Sequence, residues 1–217
     1  MRVVIVGSGE PAATDVAWLD EADLVVAADG GAGWLDRAGR RPDLLVGDLD
    51  STDPALVERL ERAGTSVERH PTDKDASDTE LALTAARSRG ATEIVVLGAL
   101  GGLRVDHELA TLLLLADASL AGLPVRIVRG GTTVRPLRDG ERLALEAEAG
   151  DVVSLLPIGG DATGITTSGL RWPLDGATLH FGRSRGLSNE VVEAPASVSL
   201  KRGTLLVVHT ARKGART

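Results

Sequence analysis

The sequence predicts an α/β protein whose N-terminal part is a mostly parallel sheet flanked by helices and whose C-terminal part is an antiparallel β-sandwich. Up to about residue 130, short apolar runs alternate with segments of helical spacing, which is typical of a parallel sheet covered by helices. Beyond that point the helical spacing ends, and short strand patterns follow one another between glycine turns. The change falls within 129–133, so we expect one domain at 1–131 and a second at 132–217.

The first domain alternates strands with helices from its first residues. Runs of β-branched and aliphatic residues predict six strands, at Arg2–Val6, Leu24–Ala28, Leu44–Val46, Ser66–Arg69, Glu93–Leu97 and Val125–Val128. Helical spacing predicts five helices, at Ala12–Asp20, Gly33–Ala38, Pro54–Ala63, Asp78–Arg89 and His107–Ala121. Two of these helices begin with capping residues, because Asp53 precedes Pro54 and Ser77 precedes Asp78.

The second domain contains strand patterns only. They recur every eight to twelve residues or so, the spacing of a sandwich or barrel-like β domain. The predicted strands are Arg142–Glu146, Asp151–Pro157, Ala162–Thr167, Ala177–Phe181, Val191–Ala194, Ser197–Leu200 and Thr204–His209.

Composition excludes several classes of protein. Of the 217 residues 43% are hydrophobic and 25% charged, so general disorder is excluded. The chain has no cysteine, which excludes thiolate metal sites and a cysteine nucleophile. Aromatic residues make up 2% and the net charge is −7, so we expect no nucleic-acid partner. With no apolar run long enough for a membrane span and a first strand in place of a signal peptide, we expect a cytoplasmic protein.

Acidic residues follow two of the predicted parallel strands. Asp29 ends the second strand and precedes Gly30 and Gly31, while Asp48 and Asp50 follow the third strand. Ligands bind at the carboxyl ends of strands in open α/β sheets. Carboxylates at such an edge can converge on Mg²⁺, which prefers oxygen ligands and leaves coordination positions for a phosphate.

Two further segments carry groups suited to phosphate. Lys74 lies among four acids at 72–80, where a helix begins; acids are also common at helix starts for capping alone. The segment Gly98–His107 has three glycines in five residues and then Arg104, whose planar guanidinium suits phosphate oxygens. A looser pattern at Gly7–Ala12, with Asp29 further on, matches a dinucleotide-binding turn but also an ordinary strand–helix turn.

Six segments occur in order along the chain: Ala28–Gly31, Gly47–Ser51, Lys74–Asp78, Gly101–His107, Gly169–Leu174 and Gly186–Asn189. Together they resemble the thiamine pyrophosphokinase family over nearly the whole chain. The resemblance implies an α/β domain that binds nucleotide and Mg²⁺, a β-sandwich that binds thiamine, and a homodimer with the active site near the subunit interface. It also implies transfer of the pyrophosphoryl group of ATP to the hydroxyl of thiamine, which gives thiamine diphosphate and AMP.

The resemblance assigns roles to particular residues. It implies that the catalytic carboxylates are Asp29, Asp48, Asp50 and Asp78, of which Asp48, Asp50 and Asp78 would hold the metal. It implies that the groups around the ATP phosphates are Lys74, Asp75, Ser77, Arg104, Asp106 and His107. It implies that the thiamine-binding residues are Trp172, Ser188 and Asn189. Asp29, Asp48 and Asp50 are all candidates to accept the hydroxyl proton.

The chain departs from the family pattern at three positions. Ser77 stands where a threonine is usual, Leu103 is an extra residue before Arg104, and Thr111 replaces an asparagine often found four residues after the histidine. The second of these changes the expected direction of the Arg104 side chain.

Three other functions remain open at this level. The pair Asp48 and Asp50 also fits a Mg²⁺-dependent phosphatase with an Asp-x-Asp nucleophile motif. The Gly7–Ala12 turn fits a dinucleotide-dependent oxidoreductase. A non-catalytic sensor of nucleotide or thiamine would keep the glycines and Trp172 but would not need the carboxylates.

Overall fold

The computed structural model describes residues 1–73 and 75–212 and divides them into two compact units. The first comprises Met1–Leu114 with Gly122–Gly130, and the second comprises Leu115–Ala121 with the chain from Gly131 onward. Lys74, which the resemblance assigns to phosphate binding, lies outside the described residues.

The first unit is built on six parallel strands. They are β1 (Arg2–Val6), β2 (Leu24–Ala28), β3 (Leu44–Gly47), β4 (Ser66–Arg69), β5 (Glu93–Leu97) and β6 (Val125–Arg129). Their order is β4-β3-β2-β1-β5-β6, and every neighbouring pair is parallel. The chain order reverses between β1 and β5, so the carboxyl ends of these two strands form the switch point at which such sheets bind ligands.

Helices cover this sheet. They are α1 (Ala17–Asp20), α2 (Gly31–Arg37), α3 (Pro54–Arg62), α4 (Asp78–Ser88) and α5 (Val105–Leu114). The central strands are fully buried, as expected when helices lie on both faces of a parallel sheet. Helix α3 illustrates the local rules, because the Asp53 side chain accepts a hydrogen bond from the Ala55 backbone N–H, Pro54 occupies the first helical position, and Leu56 and Leu60 are buried.

Two predicted helices are shorter in the structure. The segment predicted at Ala12–Asp20 is a 3₁₀ turn at Ala13–Val16 followed by α1. The buried Asp15 carboxylate explains the irregular start, since it accepts hydrogen bonds from the Ala12 and Gly130 backbone N–H groups. The helix predicted at His107–Ala121 ends at Leu114, and a separate 3₁₀ turn follows at Ala118–Leu120.

The second unit is an antiparallel β-sandwich. Its strands are β7 (Thr132–Leu137), β8 (Arg142–Leu145), β9 (Val152–Pro157), β10 (Ala162–Ser168), β11 (Ala177–Leu179), β12 (Asn189–Glu190), β13 (Ala196–Ser199) and β14 (Leu205–Thr210). The strands β12-β9-β14-β7 form one layer and β11-β10-β13-β8 the other. One core joins the layers, in which Leu155 and Leu205 pack with Ile165 and Val198. The predicted fold class is therefore confirmed.

Two strand predictions in this unit are wrong. Thr132–Leu137 forms a strand that is not among those predicted; Pro136 lowers strand propensity, but in the structure it lies opposite Leu206 in β14. The strand predicted at Val191–Ala194 is absent. Val191 makes a single antiparallel bridge with Leu170, and the next two N–H groups share the Gly169 carbonyl, so no regular ladder continues; the strand β12 lies just before this segment.

Among residues 1–73 and 75–212, the helices are all too short or too polar to cross a membrane.

Candidate active site

Three carboxylates meet at the carboxyl-end edge of the parallel sheet. Asp29 directly follows β2, Asp48 directly follows β3, and Asp78 is the first residue of α4. An oxygen from each lies within 4.8 Å of an oxygen from the other two. The sheet explains the meeting, because β2 and β3 are adjacent and parallel and therefore end at the same edge.

The backbone holds Asp29 in a fixed position. Its φ of +42° is in the left-handed region, which costs free energy in a residue with a side chain. Its N–H donates to the Val46 carbonyl at 2.9 Å, and its own carbonyl accepts from the Ala32 N–H at 3.0 Å. The chain therefore fixes the direction in which this side chain leaves the sheet.

Gly47 makes room for the cluster. Its φ is +149°, which favours glycine. A Cβ atom at this position would lie 3.1 Å from the Asp29 Cβ and 3.1 Å from an Asp78 carboxylate oxygen. A glycine is therefore needed between the end of β3 and the two acids.

The environment of Asp29 disfavours its charge. The side chain is buried, and burial raises the pKa of its carboxyl above the ordinary value. The nearby Ser51 hydroxyl and a hydrogen bond from the Thr52 hydroxyl oppose this rise in pKa, and the negative charge of Asp78 adds to it. Three carboxylates so close together, one of them buried, supply the hard oxygen ligands and the local negative charge that suit a divalent cation such as Mg²⁺.

Asp50 lies outside this cluster. Leu49 has a φ of +64° and a buried side chain, so the chain turns between the two acids of the motif. Asp50 is exposed, its N–H donates to Asp48 Oδ1 at 3.2 Å, and its own carboxylate accepts from the Ser51 hydroxyl at 3.0 Å. The structure thus brings Asp29 rather than Asp50 to Asp48 and Asp78, and a metal-ligand role for Asp50 stays a prediction.

Among the described residues, those assigned to the ATP phosphates are exposed. Arg104 makes two hydrogen bonds to the Asp106 carboxylate, at 2.9 and 2.6 Å, and these lower the pKa of Asp106 to about 2. His107 lies in the first turn of α5, where its carbonyl accepts from the Thr111 hydroxyl at 2.9 Å. Asp75 and Ser77 precede α4, and the Ser77 hydroxyl accepts a hydrogen bond from the Glu80 N–H at 3.2 Å, as an N-cap does.

The glycine loops at the switch point contact each other. The Gly9 N–H donates to the Gly98 carbonyl at 2.8 Å, so the loops after β1 and β5 touch through backbone. Two residues that the sequence analysis missed support them. The Glu108 carboxylate accepts from the Gly101 N–H at 2.7 Å, and the Arg129 guanidinium lies against Gly101. An acid seven residues after a glycine loop and an arginine at a strand end give no signal of such contacts in a single sequence.

The predicted thiamine residues lie together in the second unit. The Trp172 backbone N–H donates to the Asn189 side-chain oxygen at 3.1 Å, and the Asn189 side-chain amide donates to the Trp172 backbone carbonyl at 2.7 Å. Ser188 precedes Asn189, has a φ of +57°, and its N–H donates to the Ser154 hydroxyl at 2.9 Å. The Trp172 side chain is exposed rather than part of the core, with the Arg171 guanidinium 5.9 Å from its ring centre.

Comparisons with known proteins agree with this geometry. The family model described as thiamin pyrophosphokinase, catalytic domain, matches residues 17–127, more than half of the chain. The chain belongs to the thiamin pyrophosphokinase family. A second model of this family, its vitamin B1 binding domain, matches residues 142–205, which include Trp172, Ser188 and Asn189.

Individual members of the family match over most of their length. The thiamine pyrophosphokinase of Bacillus subtilis is 26% identical over 193 residues, which cover 89% of this chain and 90% of that protein. Thiamine pyrophosphokinase 1 of rice, Oryza sativa, is 28% identical in an alignment of 219 positions, gaps included. The alignment covers 91% of this chain and 82% of the rice protein.

Solved structures of the family share the fold. The crystal structure of thiamin pyrophosphokinase from Geobacillus thermodenitrificans superposes with a TM-score of 0.81 at 28% identity and covers all of both chains. The Bacillus subtilis enzyme superposes with a TM-score of 0.86 at 24% identity, covering 97% of this chain and 99% of the other.

Proposed function

We propose that this chain transfers the pyrophosphoryl group of ATP to the hydroxyl of thiamine and releases thiamine diphosphate and AMP. Its relatives are named thiamine pyrophosphokinases. The observation that carries the proposal for this chain is the cluster of Asp29, Asp48 and Asp78 at the edge of a parallel sheet. Such a cluster suits the neutralisation of polyphosphate charge, the main requirement in phosphoryl chemistry.

Asp29, Asp48 and Asp78 are the residues we assign to a divalent metal ion, with Mg²⁺ as the expected ion. Carboxylate oxygens are ligands that Mg²⁺ prefers, and one oxygen from each of the three residues lies within 4.8 Å of the others, close enough to share an ion. A bound Mg²⁺ supplies charge neutralisation at the ATP phosphates. The proposed phosphate contacts are Lys74, Asp75, Ser77, Arg104, Asp106 and His107. In the structure Arg104 is paired with Asp106, so ATP phosphates would compete with that carboxylate.

Asp50 is the group we assign to the hydroxyl proton of thiamine. In the reaction the thiamine oxygen bonds to the β-phosphorus of ATP, the bond from that phosphorus to the bridging oxygen of AMP breaks, and the hydroxyl proton moves to a base. Asp29 and Asp48 belong to the metal cluster, whereas Asp50 is exposed beside it and two residues from Asp48. An exposed carboxylate keeps the lone pair that a base requires.

Thiamine binding is assigned to Trp172, Ser188 and Asn189. The exposed Trp172 ring offers a face to the cationic thiazolium, a contact worth about 0.5–2 kcal/mol. The paired hydrogen bonds with Asn189 hold the backbone beside this ring. We accordingly propose that residues 1–131 form the catalytic domain and residues 132–217 the thiamine-binding domain, a division that the two family models support.

A homodimer and a cytoplasmic location complete the proposal. Helix α5 presents three aliphatic side chains at a spacing of four residues, Val105, Leu109 and Leu113, which are 66%, 55% and 59% exposed. A stripe of this kind favours contact with another protein surface. Without cysteine the chain forms no disulfide and does not require an oxidising compartment.

Separation of the nucleotide products tests the proposed function. The purified protein is incubated with ATP, Mg²⁺ and thiamine, and AMP, ADP and free phosphate are resolved by chromatography. Thiamine-dependent AMP with an equal amount of thiamine diphosphate is expected. ADP would contradict pyrophosphoryl transfer, phosphate release without thiamine would indicate a phosphatase, and binding without turnover would indicate a sensor.

A further inference from the structure

A buried threonine donates a hydrogen bond to one of the three clustered carboxylates. Thr52 lies between β3 and α3, outside the Gly47–Ser51 motif, and is 5% exposed. Its hydroxyl donates to Asp29 Oδ1 at 3.1 Å, and Asp29 is itself 3% exposed. A valine has nearly the same shape, so packing alone does not require a hydroxyl here.

This hydrogen bond restrains the Asp29 side chain, which the backbone contacts of Asp29 do not orient. The backbone of Asp29 is held by its bonds to Val46 and Ala32, and Gly47 packs against its Cβ atom. Neither contact fixes the two side-chain torsions, and the last of these, which turns the carboxylate, has a broad energy profile. A donor fixed to one oxygen sets that rotation and with it the direction of the lone pairs that face Asp48 and Asp78.

We propose that Thr52 is a positioning residue for the metal site, because its hydroxyl orients the Asp29 carboxylate toward the ion shared with Asp48 and Asp78. The inference rests on the metal site of the proposed function. It identifies Thr52 as the hydrogen-bond partner of a ligand carboxylate. Loss of such a partner commonly lowers metal affinity or activity by about 10- to 100-fold.

The test compares two substitutions at one position. Mn²⁺ replaces Mg²⁺ as the probe, and its binding to the nucleotide-free protein is followed by electron paramagnetic resonance. Thr52→Val removes the hydroxyl and keeps the shape, and we expect about a tenfold weaker Mn²⁺ affinity. Thr52→Ser keeps the hydroxyl, and its Mn²⁺ affinity should remain within about twofold of the wild type.

Thr65 provides a matched control. It is also 5% exposed, and its hydroxyl donates to a backbone carbonyl, that of Pro42, at 2.8 Å. Thr65→Val loses a buried hydrogen bond of the same kind, so its unfolding temperature should fall as that of Thr52→Val does. Its Mn²⁺ affinity should not change, which separates a positioning role from a structural one.

A double substitution tests the route through Asp29. In an Asp29→Ala background, Thr52→Val should leave the remaining Mn²⁺ affinity unchanged, because the carboxylate that it positions is gone. Should Thr52→Val not fold, Thr52→Ala takes its place in every comparison.

Several results would overturn the inference. These are a Thr52→Val protein that binds Mn²⁺ like the wild type, a Thr52→Ser protein as impaired as Thr52→Val, and further loss of affinity in the Asp29→Ala background. A wild-type protein that binds no Mn²⁺ would overturn it together with the metal site. A wild type that binds Mn²⁺ but forms no AMP would contradict the proposed reaction alone, and the comparison at Thr52 would still decide the positioning role.

Discussion

At the scale of single residues, the two acids of the Asp48–Asp50 motif have separate surroundings. Asp48 joins Asp29 and Asp78 in the cluster, whereas Asp50 is exposed and bonded to Ser51. A metal ligand and a proton acceptor lose function in different ways. Loss of a ligand weakens metal binding, and loss of a base slows the chemical step while leaving metal binding intact.

Substitution of the two kinds of acid should therefore give different results. Asp78→Asn is expected to weaken Mn²⁺ binding and to lower turnover by at least about 100-fold. Asp50→Asn is expected to lower turnover by about 100-fold or more while Mn²⁺ affinity stays near that of the wild type. Mn²⁺ titration and steady-state rates at saturating ATP and thiamine measure both quantities.

The exposed Asp73, which lies in the same acidic segment, provides the control. Asp73→Asn removes one negative charge from the segment and should leave both quantities unchanged. Folding of the Asp78→Asn protein should also be retained, because the cap of α4 comes from Ser77. Near-normal turnover in Asp50→Asn, or unchanged Mn²⁺ affinity in Asp78→Asn, would refute the respective assignment.

The sequence predicts which acids lie close together more reliably than it predicts the role of each acid. The strand-end positions of Asp29 and Asp48 follow from the alternation of strands and helices, and that alternation is visible in the chain. The outward direction of Asp50 depends on the left-handed backbone at Leu49, which residue type does not suggest. The hydrogen bond from Thr52 joins positions 23 residues apart, so no local pattern reveals it.

At the scale of elements, the site depends on how strands end. The end of β3 must leave space for two carboxylates, and Gly47 leaves that space. The bounds of the six parallel strands agree with the prediction within one residue, and a glycine or an aspartate directly follows five of the six. The prediction was less accurate for short elements, because contacts with distant residues determine their conformation. The Asp15 carboxylate bonds to the Gly130 N–H, and Pro136 pairs with Leu206.

Gly47→Ala should damage the site more than the fold. The added Cβ would lie 3.1 Å from the Asp29 Cβ and 3.1 Å from an Asp78 carboxylate oxygen, so both side chains must shift away from it. We expect Mn²⁺ affinity to fall by about tenfold or more. Gly39→Ala is the control, because Gly39 also has a positive φ, +66°, but no atom lies within 4 Å of the position of its Cβ.

Both glycine substitutions place a side chain at positive φ; the strain is about 1–2 kcal/mol at Gly39, where φ is +66°, and about 1–3 kcal/mol at Gly47, where φ is +149°. Chemical denaturation should therefore show a loss of stability in each. Metal affinity should fall in Gly47→Ala only, and an equal fall in both variants would show that backbone strain rather than the contact with the carboxylates is responsible.

In the second unit, Asp151 links the turn before β9 to the end of β14. Burial opposes its ionisation, but hydrogen bonds from the Glu148 and Arg212 N–H groups and from the His209 ring outweigh it, so the pKa of Asp151 lies below the ordinary value. A carboxyl whose pKa is lowered by folding stabilises the protein above its unfolded pKa of about 3.9 and loses this contribution as the pH falls.

Asp151→Asn should accordingly lower the free energy of unfolding by about 1–3 kcal/mol at pH 7, with a smaller difference near pH 3. Urea denaturation of the wild type and the variant at the two pH values measures this. A difference that is equal at both pH values would show that the charge of Asp151 does not contribute.

At the scale of the whole molecule, the aliphatic stripe of α5 predicts association. A charge at its centre should oppose burial of the stripe against a second copy of the chain. Leu109→Glu is therefore expected to shift the protein from dimer to monomer in sedimentation at micromolar concentration. Glu58→Gln, which changes an exposed charge on α3, should leave the oligomeric state unchanged.

The outcome for Leu109→Glu has a clear alternative. A wild-type protein that sediments as a monomer, or a Leu109→Glu protein that remains a dimer, would show that α5 is not the dimer contact. In the structure, the three side chains of the stripe lie along one face of the helix, and each is at least 55% exposed. The sequence alone marks this segment only as apolar, because a buried helix would have the same composition.

The measurement that tests the central claim most directly follows one oxygen atom through the reaction. ATP carrying oxygen-18 in the bridge between its α- and β-phosphorus atoms is incubated with the protein, Mg²⁺ and thiamine, and the products are analysed by phosphorus NMR and mass spectrometry. Attack on the β-phosphorus predicts that the labelled oxygen remains in AMP and that thiamine diphosphate carries none of it. Labelled ADP together with thiamine monophosphate would place the attack at the γ-phosphorus and contradict the account.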